Sequence, residues 1–276
     1  MTKNTFGEDS AEKEGTVQSV ARALSLLELL AEDDEGYRLS DLSERSGLSP
    51  STVHRLLTTM EQKRFVQFDP YTHLWHVGRQ SFSVGSAFVR RRNFVAQTIP
   101  FLRRIRDQTR ETVNLAVADE GEVTILVQVE SREIVRAISR AGGRAPMTSS
   151  GLGKAILATY SAEDVSAIVK RHGLRRVTPK SIIRAGELHD ALKRIREQGY
   201  SIDDEESATG LRCVAAAIFN EHGEAMAAIS ASGPATRISD ERLAVLGRII
   251  AEAAAEITIA LGGMPPAAAA CSQVNR

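Results

Sequence analysis

A short segment, residues 39–57, constrains the fold of this 276-residue chain more than any other part of the sequence. Ser40 can cap a short helix that ends near Gly47, where a glycine permits a sharp turn. Ser49 and Pro50 then supply a cap and a first-turn proline for a second helix. Two short helices joined by a glycine turn predict a helix-turn-helix, whose second helix enters the major groove of DNA.

The second helix begins with small hydroxyl side chains, which allow close approach to base edges and leave helix N–H groups for phosphate. Val53, Leu56 and Leu57 are expected to hold this helix against the core. Residues 65–68 and 73–77 then alternate around a turn, which predicts a hairpin in the position of a wing. The residues expected to contact DNA are Ser49, Ser51, Thr52, His54, Arg55, Thr58 and Lys63 in the second helix, and Tyr71 and His73 in the wing.

The distribution of charge supports this interpretation, although the formal net charge of the chain is +0. Between Tyr37 and Arg92 there are nine Lys or Arg residues against four acids, whereas acid is in excess elsewhere. A locally basic module can bind DNA while the whole chain stays neutral. The alternative is a three-helix bundle followed by a hairpin with no role in nucleic-acid binding, and the basic enrichment disfavours it.

Helical spacing of apolar residues also predicts a first helix over 17–31, with an apolar face formed by Val20, Leu24, Leu27 and Leu30. A long helical stretch from about Gln80 to Arg110 contains Pro100, so it is expected to break or bend there. The predicted organisation is a disordered leader (1–15), a winged helix-turn-helix domain (16–79), a linker helix (80–100), an effector-binding domain (101–263) and a disordered tail (264–276).

The second half of the sequence predicts an α+β domain. Apolar strands are expected to form antiparallel hairpins that helices cover, as in the sensor sheets of GAF and PAS domains. The predicted strands are 113–118, 123–129, 134–139, 213–219 and 225–231, and the predicted helices are 151–160, 162–171, 185–198 and 239–261.

Enzymatic motifs are not recognisable in the sequence. The run from Ser230 to Gly233 lacks the first glycine of a serine nucleophile elbow, and the six histidines do not have zinc-ligand spacing. The Gly-x-Gly-Lys run at 151–154 lacks the upstream glycine of a phosphate-binding loop. We therefore expect no catalytic residue, no metal site and no cofactor.

The two cysteines, Cys213 and Cys271, lie far apart, which is typical of a chain from a reducing compartment. No apolar run approaches the roughly 18 residues that cross a membrane. These features predict a cytoplasmic protein with no membrane partner.

These motifs, in this order, resemble the IclR family of bacterial transcriptional regulators from Val17 to about Leu261. The resemblance rests on the helix-turn-helix, the wing ending at Gly78, and the motifs at 150–154, 199–200, 203–206, 210–213 and 230–234. It implies homodimers, paired into dimers of dimers, that bind palindromic operators as repressors or activators. Within the family, the sequence looks most similar to the glyoxylate-responsive AllR/BhcR-like branch.

The resemblance also implies an effector pocket formed by Gly151, Leu152, Gly153, Asp203, Cys213, Ser230 and Ser232. Leu152 stands where that branch has alanine. Ser230 and Ser232 are two residues apart, so on a strand their hydroxyls share one face and could bind a small organic acid such as glyoxylate. From composition alone, Cys213 suits a core position equally well, and the acidic run at 203–206 suits a solvated turn.

Two alternatives to a glyoxylate-responsive regulator remain open from the sequence. One is a regulator that senses a different acid, such as pyruvate, glycolate or an aromatic acid. The other is a DNA-binding protein whose C-terminal domain only oligomerises. In the favoured reading, the effector binds one arrangement of the sensor domains better and so shifts the spacing of the recognition helices.

Overall fold

The structure is a computed structural model that describes residues 17–90, 94–137 and 140–264. The predicted leader and all but the first residue of the predicted tail lie outside this part of the chain. The chain forms two compact units, residues 1–91 and 92–276. Among the described residues, no helix combines the length and the apolar character needed to cross a bilayer.

The N-terminal unit is a winged helix-turn-helix, as the sequence predicts. Its core brings together Leu26, Leu42, Val53, Leu57 and Trp75, so that the first three helices and the hairpin share one apolar centre. The hairpin is antiparallel. The elements are α1 (Gln18–Leu30), α2 (Leu39–Ser46), α3 (Pro50–Gln62), β1 (Val66–Asp69), β2 (Leu74–Val77) and α4 (Arg79–Arg90).

The predicted apolar face of α1 is wrong in its first half. Val20 and Leu24 are 54% and 55% exposed, whereas Leu26 and Leu30 are fully buried. α1 carries more than one apolar stripe, and its packing against α2 and α3 selects the stripe through Leu26 and Leu30. Periodicity within one helix cannot make that choice, because the partners of the helix lie elsewhere in the sequence.

The predicted cap of α2 is also shifted. The helix begins at Leu39, so Arg38 occupies the N-cap position and Ser40 lies in the first turn. The Asp41 carboxylate accepts a hydrogen bond from the Arg38 N–H at 3.4 Å, and the Ser40 hydroxyl donates to the same carboxylate at 3.1 Å. An acid in the first turn thus caps the helix in place of the serine. Gly47 ends the helix in a left-handed conformation, as expected.

The C-terminal unit is a six-stranded antiparallel sheet covered by helices, which confirms the predicted α+β class. Its strand order is β5-β4-β3-β8-β7-β6, with α5 and α9 on one face and α6 and α8 on the other. The elements are α5 (Phe94–Thr109), β3 (Thr112–Asp119), β4 (Glu122–Val129), β5 (Arg144–Pro146), α6 (Gly151–Leu157), α7 (Ala162–His172), α8 (Ala185–Gln198), β6 (Ser201–Asp204), β7 (Leu211–Phe219), β8 (Ala225–Pro234) and α9 (Asp240–Ala260).

Of the expected break or bend at Pro100, the break is wrong, because Pro100 lies inside α5. The helix boundary falls instead between Arg90 and Phe94, where residues 91–93 are outside the described part of the chain. Proline removes one helical hydrogen bond and crowds the preceding turn. Buried residues on both sides of it, Val95 and Leu102 among them, fix the helix against the unit and outweigh that cost.

The predicted third strand at 134–139 is also wrong. Residues 134–137 form an irregular loop, and 138–139 lie outside the described residues. β4 pairs with β3 on one side, and the strand on its other side is β5, a short segment ten residues further on. Ile134 is 95% exposed, so an apolar residue in a loop produced a false strand signal. The opposite error is a strand that was not predicted. The edge strand β6 was missed because the acidic run at 203–206 is typical of a turn.

Candidate functional site

The start of α3 is organised by a cluster of hydroxyl groups. The Ser49 hydroxyl accepts a hydrogen bond from the Thr52 N–H at 3.3 Å, which caps the helix. The same oxygen lies 3.1 Å from the Ser51 hydroxyl and 2.9 Å from that of Thr52. Pro50 occupies the first helical position, where its missing N–H costs nothing. Small hydroxyl side chains therefore meet at one exposed end of α3.

One face of α3 is buried and the opposite face is exposed. Val53 and Leu57 lie in the core, whereas His54 and Arg55 project into solvent. The Thr58 hydroxyl donates to the carbonyl oxygen of His54 at 2.8 Å, so its proton is already used. Lys63 is exposed at the C-terminal end of the helix. α3 thus presents donors along one accessible stripe.

The hairpin tip holds Tyr71 and His73 at the surface. Tyr71 is 94% exposed, and His73 adopts a left-handed conformation with φ of 57°. The Asp69 carboxylate accepts a hydrogen bond from the Tyr71 N–H at 2.8 Å, and this bond holds the pKa of Asp69 below its usual value. Beneath the tip, the ring of Phe68 packs on that of Trp75 at 5.0 Å. An anchored, exposed tip has the form of a wing.

In the C-terminal unit, the strand register aligns the predicted pocket residues. Directly paired residues of adjacent strands point to the same face of a sheet. One row on the face beneath α6 crosses four strands at Asp203, Cys213, Ser232 and Thr112. The neighbouring row on the same face contains Ser201, Ala215, Ser230, Asn114 and Gln128.

The two glycines of the predicted pocket have different reasons to be glycine. A Cβ on Gly151 would lie 3.0 Å from the Cys213 sulfur, so α6 approaches the sheet most closely there. A Cβ on Gly153 would lie 2.3 Å from the Met147 Cα, which no side chain can accommodate. Leu152 is buried in the hydrophobic core of α6, α8 and the sheet. Of the three, Gly151 is the one that the structure brings against Cys213 and Asp203.

Asp203 is buried and its carboxylate is largely occupied. One oxygen accepts from the N–H groups of Glu206 and Ser207 at 2.7 and 3.2 Å, and the other accepts from the Ser207 hydroxyl at 2.5 Å. Burial raises the pKa of Asp203, and these hydrogen bonds oppose the rise. A carboxylate has about four lone-pair sites, so little capacity remains for a ligand. Asp203 chiefly shapes the loop that follows β6.

Cys213 is a neutral thiol at the centre of the row. Burial raises its pKa to about 12, and the nearby charge of Asp203 acts in the same direction. Hydrogen bonds from the hydroxyls of Ser232 and Ser230 oppose this rise. The thiol therefore stays protonated at neutral pH, where it can contact a ligand but is a poor nucleophile.

A buried ion pair beside this site was not foreseen from the sequence. The Lys154 ammonium, on α6, pairs with Glu206, and the lysine is only 2% exposed. Burial raises the pKa of Glu206, while the charge of Lys154 opposes the rise. A charged residue in the otherwise apolar run of α6 was the available signal, since a buried lysine needs a partner.

Two amide side chains, one buried and one half-buried, were also missed. Asn114 and Gln128 pair across β3 and β4 on the face that carries the serines. The Asn114 amide nitrogen donates to the Ser230 hydroxyl at 3.4 Å. An amide inside each of two apolar strands was the sequence signal, because buried polar side chains in strands call for partners.

Comparison with known proteins identifies the family. The family model for the IclR helix-turn-helix domain matches residues 19–70, and the model for the bacterial transcriptional regulator IclR C-terminal domain matches residues 86–259. The chain therefore belongs to the IclR family of bacterial transcriptional regulators. Because its families and relatives are regulators, this confirms that the chain is not an enzyme.

Individual relatives span almost the whole chain. The transcriptional repressor IclR of Escherichia coli is 44% identical over 91% of this chain and 92% of its own length. The regulator BhcR of Paracoccus denitrificans is 39% identical over 93% of this chain and 90% of its own length. The crystal structure of an IclR homolog from Microbacterium hydrocarbonoxydans complexed with 4-hydroxybenzoate superposes with a TM-score of 0.73, at 26% identity, over 88% of this chain and 98% of that one.

Proposed function

We propose that this chain is a transcriptional repressor that binds a palindromic operator. The observation that carries the proposal is the exposed stripe of α3, which begins at a capped, hydroxyl-rich end and continues through His54 and Arg55. Base edges are read by such side chains in the major groove, and helix N–H groups hold phosphate. Relatives named as repressors, at 44% identity, support the same direction of regulation. Since its target is chromosomal DNA, the protein acts in the cytoplasm.

The operator proposal requires two copies of α3. A two-fold axis would set two recognition helices about one helical turn of DNA apart. Exposed apolar residues at Val17, just before α1, at Val20 and Leu24 on α1 and at Phe82 on α4 support a homodimer, since exposed apolar surface can mark an interaction site. We further propose that dimers pair into tetramers. Light scattering of the purified chain tests both assemblies, and a monomer at micromolar concentration would contradict them.

We propose that the C-terminal unit binds a small organic acid, with glyoxylate as the first candidate. The supporting geometry is the pair of Ser230 and Ser232 hydroxyls, on one face of β8, beside the neutral Cys213 thiol and close beneath Gly151. Hydroxyl groups and a helix start are the donors that a carboxylate needs. A BhcR relative at 39% identity fits the glyoxylate-responsive branch, although the IclR relative at 44% is more similar.

In the proposed mechanism, the acid favours one arrangement of the sensor domains in the oligomer over another. A ligand can shift an equilibrium only by its difference in affinity for the two states. We assign residues 16–79 to operator binding, 101–263 to effector binding and 80–100 to the connection that carries the change. The spacing of the recognition helices then depends on whether the acid is bound.

Thermal unfolding of the purified chain against a panel of acids tests the effector proposal. The panel contains glyoxylate, pyruvate, glycolate, allantoin and 4-hydroxybenzoate. A ligand that binds only the folded state adds about 2.7 kcal/mol of stability at a hundredfold excess over its dissociation constant. A shift with glyoxylate supports the proposal, and a shift with another acid changes the effector. No shift with any acid favours a C-terminal unit that only oligomerises.

A further inference from the structure

The face of the sheet beneath α6 and α8 has two chemically different halves. Toward β5, the face is apolar, with Ala116, Val123, Ile125 and Ala228 in the core cluster. Toward the other end of the same strands, the two rows described above carry hydroxyl, thiol, carboxylate and amide groups. The change occurs within single strands, between Ala116 and Asn114 on β3.

Within the polar half, two buried atoms have no hydrogen-bond partner among the described residues. They are the Asn114 Oδ1 acceptor and the Gln128 Nε2 donor. The two side chains belong to directly paired residues, whose Cβ atoms lie about 4.5–5.5 Å apart in antiparallel sheets. Leaving a buried polar group without a hydrogen-bond partner destabilises a fold, so two neighbouring ones are not expected without a reason.

The unpartnered atoms differ in kind, and together they define a ligand. Asn114 also contacts Ser230 through its other amide atom, which connects the amide pair to one of the two serines of the proposed effector site. A group that donates to one amide and accepts from the other is a hydroxyl or the hydrate of an aldehyde. A methyl group or an aromatic ring can do neither.

We propose that Asn114 and Gln128 form a second wall of the effector site and select acids that carry a hydroxyl or hydrated carbonyl next to the carboxylate. This inference rests on the proposed function, since it concerns the same site. Ser230 and Ser232 bind the carboxylate, and the amides of Asn114 and Gln128 bind the group on the neighbouring carbon. The site thereby discriminates against an acid that has only hydrogen on that carbon.

The test compares glycolate with acetate, which differ by a single hydroxyl group. Calorimetry gives the dissociation constants of both acids, and of glyoxylate, for the full-length protein. The variants are Asn114→Leu and Gln128→Met, which keep side-chain volume and remove the hydrogen-bonding atoms. Thr124→Val is the matched control, because it removes a half-buried hydroxyl from β4 on the opposite face of the sheet.

We expect the wild-type protein to bind glycolate at least about tenfold more tightly than acetate, since one hydrogen bond to a buried group contributes about that factor. Either amide variant is expected to reduce this ratio to about threefold or less, while the control keeps it. Gln128→Met is not expected to lower the melting temperature without ligand, because it removes an unpartnered buried donor. Asn114→Leu is expected to lower it slightly, because it also removes the hydrogen bond to Ser230.

An unchanged ratio in both variants would overturn the inference and leave the proposed function standing. This is the result expected if the two amides bond to each other or to a structural water. The inference would also be overturned if the control, Thr124→Val, reduced the preference for glycolate over acetate as much as the amide variants do. If the wild-type protein bound none of the acids, both the proposed function and this inference would fail.

Discussion

The two candidate sites of this regulator are built in opposite ways. The DNA-binding surface comes from one continuous segment, α3 and its cap, and its side chains point into solvent. The effector site is buried and gathers residues from α6 and five strands, with Asn114 and Ser230 116 residues apart in sequence. An exposed site can change with little effect on stability, whereas a buried polar site is part of the fold itself. Substitutions that separate function from stability should therefore behave differently at the two sites.

The largest expected effect is a loss of stability when the buried ion pair between Lys154 and Glu206 is broken. Lys154→Met leaves Glu206 buried without its cation, which costs about 3–5 kcal/mol of unfolding free energy. Urea unfolding followed by circular dichroism measures this loss. The double variant with Glu206→Leu is expected to recover most of it, because an apolar pair can replace a buried ion pair. A single variant within 1 kcal/mol of wild type would mean that the pair contributes little.

The next effect concerns the N-terminal unit, where burial decides between two leucines of α1. Leu26→Ala is expected to cost about 2–5 kcal/mol, because Leu26 is fully buried. Leu24→Ala removes the same atoms from a position that is exposed within one chain, and its expected cost is within about 0.5 kcal/mol at protein concentrations low enough to dissociate the proposed dimer. Thermal unfolding of both variants provides the comparison. Equal losses would show that the face of α1 is assigned incorrectly.

A smaller effect is expected at the DNA-binding surface. Arg55→Ala should weaken operator binding by about 1–3 kcal/mol, roughly fivefold to 150-fold, with no loss of stability. Fluorescence anisotropy with a duplex selected from a random pool measures the affinity. Arg194→Ala, which removes an exposed arginine from α8, is the matched control. If the control weakened binding as much as Arg55→Ala, the effect would reflect overall charge rather than α3.

The smallest expected effect concerns Cys213, whose thiol should stay unreactive as the pH rises. In a Cys271→Ser background, iodoacetamide should leave the folded chain unlabelled from pH 6 to 9, because the pKa of Cys213 is about 12. The unfolded thiol ionises near pH 8.5, so the folded state loses stability only above that pH. Rapid labelling of the folded protein at pH 8 would contradict a buried, neutral thiol.

The same contrast explains what the sequence could predict. The helix-turn-helix was predictable because its determinants, Ser49, Pro50 and Gly47, act within a few residues of one another. Ser230 and Ser232 were predictable as neighbours on one face, since a strand has a period of two. Local rules of this kind suffice wherever a few adjacent residues determine the structure.

The features that the sequence did not predict depend on contacts between distant segments. The pairing of Lys154 with Glu206 and of Asn114 with Gln128 follows from sheet order and register, which no single segment specifies. The buried face of α1 follows from its partners in the same way. The false strand that began at Ile134 shows the converse, because apolar character in a loop means little without a neighbour to pair with.

The central claim is that an acid bound among the serines of the buried site changes the affinity of the exposed site for DNA. The most direct test is operator affinity with and without glyoxylate, measured by anisotropy for the wild type and for Ser232→Ala. We predict that glyoxylate shifts the wild-type affinity, and that Ser232→Ala binds DNA normally but needs about threefold to tenfold more acid for the same shift. An identical glyoxylate response in both proteins would contradict the account.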